Sequence, residues 1–298
     1  MRIAFIGLGN MGSGMAANQA KAGRDVAAFD LSSDAMARAA QAGCRAAGSG
    51  PEAVSDAEVV ITMLPAGPHV RKVYEEQVFG KAPAGALLID CSTIDPETAR
   101  EVAGRAQNEG YVFADAPVSG GTAAAEGGTL AFMVGCHEPD FARVEEVLQP
   151  MARAVIRAGL HGTGQAAKIC NNMLLGITMI GTCEAFALAE RLGLEADRFF
   201  EIASKSSGQS WSLTSYCPVP GPVPAAPSNR GYTGGFATAM MLKDLKLAQA
   251  AAASEHATTP LGAQAEALYA LFDRLGHGKS DFSGIIQMIR GRLDELQA

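Results

Sequence analysis

Lys168 and Asn172 lie four residues apart in GTGQAAKICNN, a stretch without proline. A helix there puts both side chains on one face, with Cβ atoms about 5–6 Å apart. Upstream, Ser119-Gly120-Gly121 offers a hydroxyl and backbone N–H groups with little side-chain bulk around them. Such a nest of amides can hold a carboxylate. An ammonium, an amide and a carboxylate nest together suit a substrate that carries a hydroxyl beside a carboxylate, with the lysine exchanging the hydroxyl proton. Each feature also has a plainer reading. The glycines could form an ordinary turn, and a lysine on a largely apolar helix (Ile169, Met173 and Ile177 lie on its other face) usually snorkels to water. Lys243 and Asp244, in KDLKLA, read the same way as a solvated charged face.

A second constellation opens the chain. Gly7-Leu8-Gly9-Asn10-Met11-Gly12 is a G-x-G-x-x-G between an apolar strand and a helix. Gly7 permits the tight turn, Gly9 lets the backbone approach a pyrophosphate, and Gly12 allows close helix–strand packing. The N–H groups at the helix start then face the phosphates. Asp30 ends the next strand, 18 residues past Gly12, where an acid can accept hydrogen bonds from ribose hydroxyls. The same carboxylate repels a 2′-phosphate, and residues 31–33 are Leu, Ser and Ser, with Arg38 about two turns into the following helix. NAD is therefore preferred over NADP. Leu64, Pro65 and Thr93 end later strands at the edge where open α/β sheets bind ligands. Beside a dinucleotide, the first constellation becomes a site for hydride transfer from a small hydroxy acid.

These residues need a scaffold, and the hydrophobic pattern predicts one. Short apolar runs at 2–6, 26–30, 59–64, 86–91, 111–116, 129–135 and 154–158 read as strands alternating with helices. That alternation predicts a Rossmann-type, mainly parallel sheet with helices on both faces. Asp95 and Pro96 form a helix start. From Gln165 to Leu192 the composition is continuously helical, and further helices are expected at 196–203, 236–254, 261–275 and 282–296. The predicted domains are 1–163, binding the dinucleotide, and 164–298, all-helical and joined by the long helix. Residues 217–228, with five prolines, read either as a rigid extended connector or as a segment covering the site after Trp211 and Tyr216.

With 298 residues, 48% of them hydrophobic, the chain can bury a large core. A net charge of −7 argues against nucleic acid and anionic membranes as partners. No run of ~18 uninterrupted apolar residues appears. The six cysteines are scattered and, like the five histidines, lack metal-ligand spacing, so no metal is expected. Cys170 reads as a reduced core cysteine and the histidines as loop or surface residues. Reduced cysteines and the absence of a targeting segment at the N-terminus point to the cytoplasm.

Four ordered motifs carry a family resemblance: GLGNMGSGM at 7–15, DAPVSGGTAAAEGG at 115–128, GTGQAAKICNN at 162–172 and MLKDLKLA at 241–248. The chain resembles the β-hydroxyacid dehydrogenases, most closely those acting on 3-hydroxyisobutyrate. The resemblance implies a Rossmann domain followed by an all-helical domain, and a homodimer or homotetramer. It implies Lys168 as the catalytic residue; Ser119, Gly120, Gly121 and Asn172 as substrate-binding positions; and Lys243 and Asp244 near the nicotinamide. Trp211 and Tyr216 fall where a bacterial subgroup has site-lining aromatics. Glu126 departs from the small residues common there. It implies oxidation of 3-hydroxyisobutyrate in valine breakdown, ahead of L-serine or a related 3-hydroxy acid and ahead of tartronate semialdehyde or glyoxylate reduction. A non-catalytic dinucleotide-binding module is the alternative of another class, and the presence of Lys168 argues against it.

Overall fold

A computed structural model describes residues 1–296; the last two residues of the expected second domain lie outside it. Strand β1 (Arg2–Ile6) leads to helix α1 (Gly12–Lys21), and the alternation continues through β2 (Asp25–Phe29), α2 (Ser33–Gln41), β3 (Arg45–Ala46), α3 (Gly50–Val54), β4 (Val59–Thr62), α4 (Gly67–Val73), β5 (Leu87–Asp90), α5 (Pro96–Asn108) and β6 (Val112–Asp115). Then follow β7 (Val118–Ser119), α6 (Gly121–Gly127), β8 (Leu130–Gly135), α7 (Phe141–Leu148) and β9 (Ala152–Gly159). The sheet order is β3-β2-β1-β4-β5-β6-β8-β7, with β9 on β8. The strands from β3 to β6 pair in parallel, while β8 runs antiparallel to β6 and β7. This is the mainly parallel Rossmann-like sheet expected from the pattern.

Successive strand residues point to opposite faces, so the sheet divides its apolar side chains between two cores. Ile3, Phe5, Val59, Ile61, Leu87 and Ile89 enter one core, with residues of α1, α2 and α7. Ala4, Ile6, Val60 and Leu88 enter the other, with α3, α4 and α5. Burial on both faces explains why these strands read as continuous apolar runs. Local chemistry fixes the helix starts. Asp95 caps α5 by accepting the Thr98 N–H at 2.7 Å with Pro96 in the first turn, and Ser32 caps α2 through the Ala35 N–H. At α1 the capping position is Met11, whose side chain makes no cap.

Helix α8 (Thr163–Arg191) leads into α9 (Ala196–Ala203), α10 (Trp211–Thr214), α11 (Thr238–Ser254), α12 (Pro260–Phe272) and α13 (Ile285–Arg290). The chain divides into compact units Met1–Lys168 and Ile169–Ala298, so the division falls inside α8, a little beyond the expected 163/164. The helical unit has its own core, built on Met179, Cys183, Phe186, Met241, Leu245, Tyr269, Phe272 and Ile285. Among the described residues α8 alone is long and apolar enough to cross a membrane, yet Met179, Cys183 and Phe186 commit one of its faces to this core.

Three expectations need correction. The helix expected at 282–296 is broken: α13 stops at Gly291, whose φ of 73° is the left-handed conformation that ends helices. The proline segment is not an extended connector. Ser228 Oγ donates to the carbonyls of Cys217 and Val219, and Tyr232 OH donates to that of Pro218, folding the segment on itself. Cys170 is exposed, unlike the other five cysteines, because it lies on the side of α8 opposite the buried Ile169 and Asn172 neighbours. His161 lies in the turn between β9 and α8, as the loop reading expects. Its ring packs edge-on against Phe113 and His137, and burial lowers its pKa.

Candidate active site

The cofactor constellation sits at the carboxyl edge of the parallel strands, where β1 lies between β2 and β4 and the chain's crossovers diverge. Steric demand dictates its glycines. Gly7 has φ +96°, and a Cβ there would lie 2.3 Å from the Met63 carbonyl oxygen. A Cβ on Gly12 would lie 2.0 Å from the Gly7 oxygen. At Gly9 a Cβ would meet nothing within 4 Å, so the tip of the turn is open to an approaching group. Leu8 N–H donates to Asp30 Oδ2 at 2.7 Å, and Ser32 N–H donates to Oδ1 at 2.8 Å. Asp30 thus ties the glycine turn to the end of β2. Asn10 is exposed, while Met11 packs against the first core.

Two neighbouring loops complete this edge. Leu64 and Pro65 follow β4, and Thr93 follows β5. Leu64 N–H donates to Ser92 Oγ at 2.8 Å. Ser92 Oγ in turn donates to Asp90 Oδ1 at 2.6 Å, and Thr62 Oγ1 donates to the same oxygen at 2.7 Å. Burial raises the Asp90 carboxyl above the usual carboxylate range.

The proposed substrate loop and base lie on separate elements of the same unit. Ser119 ends β7, held by β8, and Gly120 (φ +140°) and Gly121 (φ +73°) turn the chain into α6. Both angles are costly for any residue with a Cβ. Glu126 is exposed on α6, so its charge faces solvent. Lys168 is only 7% exposed, which removes the snorkelling alternative. The helix that carries it is pinned at its start. Gly162 N–H and Gln165 N–H donate to Asp115 Oδ1 and Oδ2 at 2.7 and 3.0 Å. Burial pushes the Asp115 carboxyl up to about 6. Gln165 accepts the Ile94 N–H at 3.0 Å and donates to the Ser92 carbonyl at 2.8 Å.

In the helical unit, Asn172, Lys243 and Asp244 come together. Asn172, one turn past Lys168 on α8, donates through Nδ2 to Asp244 Oδ2 at 2.5 Å. Asn171 Nδ2 donates to Asn172 Oδ1 at 3.0 Å, and Lys243 Nζ lies 3.3 Å from Asp244 Oδ1. Asp244 is 3% exposed, so KDLKLA is not a solvated face: its acid is inserted beneath Asn172. Trp211 and Tyr216 form a different cluster, stacked with ring centroids 4.9 Å apart. Tyr216 OH donates to buried Asp281 at 2.7 Å, and the same carboxylate accepts the Phe236 and Ser283 N–H groups. Sequence reasoning passed over Asp115, Gln165 and Asp281. Asp115 and Gln165 lie inside the motifs at 115–128 and 162–172, and a polar residue interrupting an apolar strand end was the available signal at Asp115. Asp281 had none.

Comparison with known proteins identifies what the chain is similar to. Residues 2–159 match the family model for the NAD binding domain of 6-phosphogluconate dehydrogenase, and residues 162–289 match that for NAD-binding of NADP-dependent 3-hydroxyisobutyrate dehydrogenase. The chain is 49% identical to the 3-hydroxyisobutyrate dehydrogenase of Pseudomonas aeruginosa, covering 97% of this chain and 99% of that one. It is 45% identical to the NAD-dependent L-serine dehydrogenase of the same organism, over 95% of each. The structure of Mycobacterium tuberculosis 3-hydroxyisobutyrate dehydrogenase with L-serine matches with a TM-score of 0.93 at 48% identity, over 97% of this chain and 98% of that one.

Proposed function

The chain belongs to the β-hydroxyacid dehydrogenase family, and from that premise we propose that it is an NAD-dependent oxidoreductase of small 3-hydroxy acids, with 3-hydroxyisobutyrate as its first substrate. The residues at the sheet edge fit the cofactor. Gly9 leaves the backbone open, the first N–H groups of α1 have no side-chain cap, and Asp30 presents a carboxylate to a ribose. That acid supports NAD over NADP, although one matching family model is described as NADP-dependent. A bound NAD supplies one thing, a pyridinium ring that accepts hydride from the carbinol carbon.

The chain's own groups do the rest. Ser119 and the amides of Gly120 and Gly121 hold the substrate carboxylate, assisted by Asn172. Lys168 in its neutral form takes the hydroxyl proton as the carbinol becomes an aldehyde, and returns it to the carbonyl oxygen in reduction. Asp244 orients Asn172, Lys243 would serve the cofactor and Trp211 and Tyr216 the substrate's small side chain, as the family resemblance implies. Leu64, Pro65 and Thr93 line the cofactor side. The burial of Lys168, one helical turn before Asn172, is the observation that carries this reading. L-Serine is the second substrate to weigh, because the L-serine dehydrogenase relative and the serine-containing structure both point to it. We place the enzyme in the cytoplasm, supported by six unpaired cysteines, and as a homodimer or homotetramer.

The test is NADH formation with 3-hydroxyisobutyrate, L-serine and glycerate, in wild type and in Lys168→Ala. Wild type should turn over with kcat/KM highest for 3-hydroxyisobutyrate. Lys168→Ala should lose roughly 100- to 10,000-fold in kcat, the usual worth of a general base, together with the rise of the oxidation rate with pH that a neutral lysine base imposes. Unchanged turnover in the variant rejects the role of Lys168. Tight NAD binding without turnover on any acid returns the chain to a non-catalytic module.

A further inference from the structure

Thr93 stands at the cofactor edge between Ser92 and Ile94, and one buried side chain grips the backbone on both sides of it. Gln165 is fully buried; its Nε2 donates to the Ser92 carbonyl at 2.8 Å and its Oε1 accepts the Ile94 N–H at 3.0 Å. The amide thus pairs with the segment as a neighbouring strand would, fixing the backbone at Thr93. Ser92 is tied on its other side to the Leu64 N–H and to Asp90, so the same grip extends to the loop after β4. Gln165 itself has little freedom. Its N–H is held by Asp115, and the preceding Gly164 is packed so tightly that a Cβ there would lie 2.3 Å from the Met133 oxygen. Three residues further along the same helix is Lys168.

We propose that Gln165 is a positioning residue that sets the register between the two cofactor-edge loops, at Leu64–Pro65 and Thr93, and the Lys168 ammonium. This rests on the reading of Lys168 as the proton-transfer group. Hydride and proton leave the same carbinol, so the donor–acceptor geometry of both must be right in one transition state. A displacement of about 1 Å between groups that act together can cost on the order of 100-fold in rate. A glutamine suits the task because it donates and accepts at once. Glutamate accepts but cannot donate when ionised, and methionine fills similar space and does neither.

The test compares Gln165→Met and Gln165→Glu with wild type. Gln165→Met should lower kcat about 100-fold, shift the pH range over which the oxidation rate rises, and change the substrate KM far less than kcat. Gln165→Glu keeps the acceptor for Ile94 and should show the smaller loss of loop order. In a Lys168→Ala background, Gln165→Met should add little further loss, because a residue that acts through Lys168 has nothing left to position. Amide hydrogen exchange needs no turnover: Ile94 and Leu64 should lose protection in Gln165→Met, while β1 and β5 keep theirs. Full additivity with Lys168→Ala, or unaltered exchange at Ile94 and Leu64, overturns the positioning role. Failure of the functional reading shows separately, as wild type that turns over none of the acids.

Discussion

Asp30 holds the glycine turn, and under the proposed function it meets a ribose with the same two oxygens. Each accepts one backbone N–H, from Leu8 and from Ser32, and each keeps a lone pair for a ribose hydroxyl. Asp30→Asn replaces one acceptor oxygen with a donor that opposes a backbone N–H, and removes the negative charge. Hydrogen bonds to a charged group are worth about 1.5–3 kcal/mol, so kcat/KM for NAD should fall roughly 10- to 100-fold. The NADP:NAD ratio should rise, because the repulsion of a 2′-phosphate is gone. Steady-state kinetics with both cofactors checks this, and an unaltered KM for NAD removes Asp30 from the ribose. Asp30 and the three glycines were legible in the sequence because each answers a local demand of one turn. The burial of Lys168 and Asp244 was not. Asp244 finds Asn172 72 residues away, and its own segment carries the charge pattern of a solvated helix. Gln165 shows the same limit, since both of its partners lie beyond any local spacing rule.

At the scale of elements, helix α8 begins against a carboxylate, and that contact has a pH signature. Asp115 accepts the Gly162 and Gln165 N–H groups, yet burial still raises its carboxyl to about 6 from an ordinary 3.8. As pH falls, the folded chain takes up this proton near 6, while the unfolded chain waits until near 4. The group's contribution to stability is therefore fully present below 3.8 and lost as pH rises through about 6. Its size is on the order of 3 kcal/mol. Asp115→Asn has no such titration. Between pH 6.5 and 4.5, wild-type stability measured by urea unfolding should improve relative to the variant as the solution becomes more acidic. A constant difference across that window shows that Asp115 titrates alike in both states. The elements themselves were largely readable. The parallel strands announce themselves by being apolar on both faces, and Asp95-Pro96 marks the start of α5 by capping chemistry alone. The self-bonded proline segment was hidden, because Ser228 and Tyr232 reach back to carbonyls that composition cannot assign, whereas Gly291 was itself an available stop signal.

Among the described residues of the whole chain, α8 is the longest helix, and one of its faces is uncovered. Along α8, Cys170, Leu174, Gly181 and Leu188 are exposed at spacings of four and seven, and Leu192 continues the row just past its end. Leu174, Leu188 and Leu192 are 60%, 61% and 75% exposed. That repeat is the seam two helices use to pack side by side, and at Gly181 a Cβ would meet nothing within 4 Å, so a partner backbone can come close. Burying each leucine is worth about 1.5–3 kcal/mol, which gives a second copy of this chain a reason to cover the row. Net charge of −7 does not oppose this locally, because Glu184 is the one acid on the exposed stretch of α8 between Leu174 and Leu188. Leu188→Glu places a charge within the proposed seam. Sedimentation equilibrium should then show wild type as a dimer or tetramer and Leu188→Glu shifted toward monomer by at least about tenfold in dissociation constant, the equivalent of ~1.4 kcal/mol. The leucine is exposed within one chain, so the fold of the variant should survive, with far-ultraviolet circular dichroism unchanged. A wild type that sediments as a monomer at all concentrations, or a variant that assembles as tightly as wild type, leaves the α8 row without a partner.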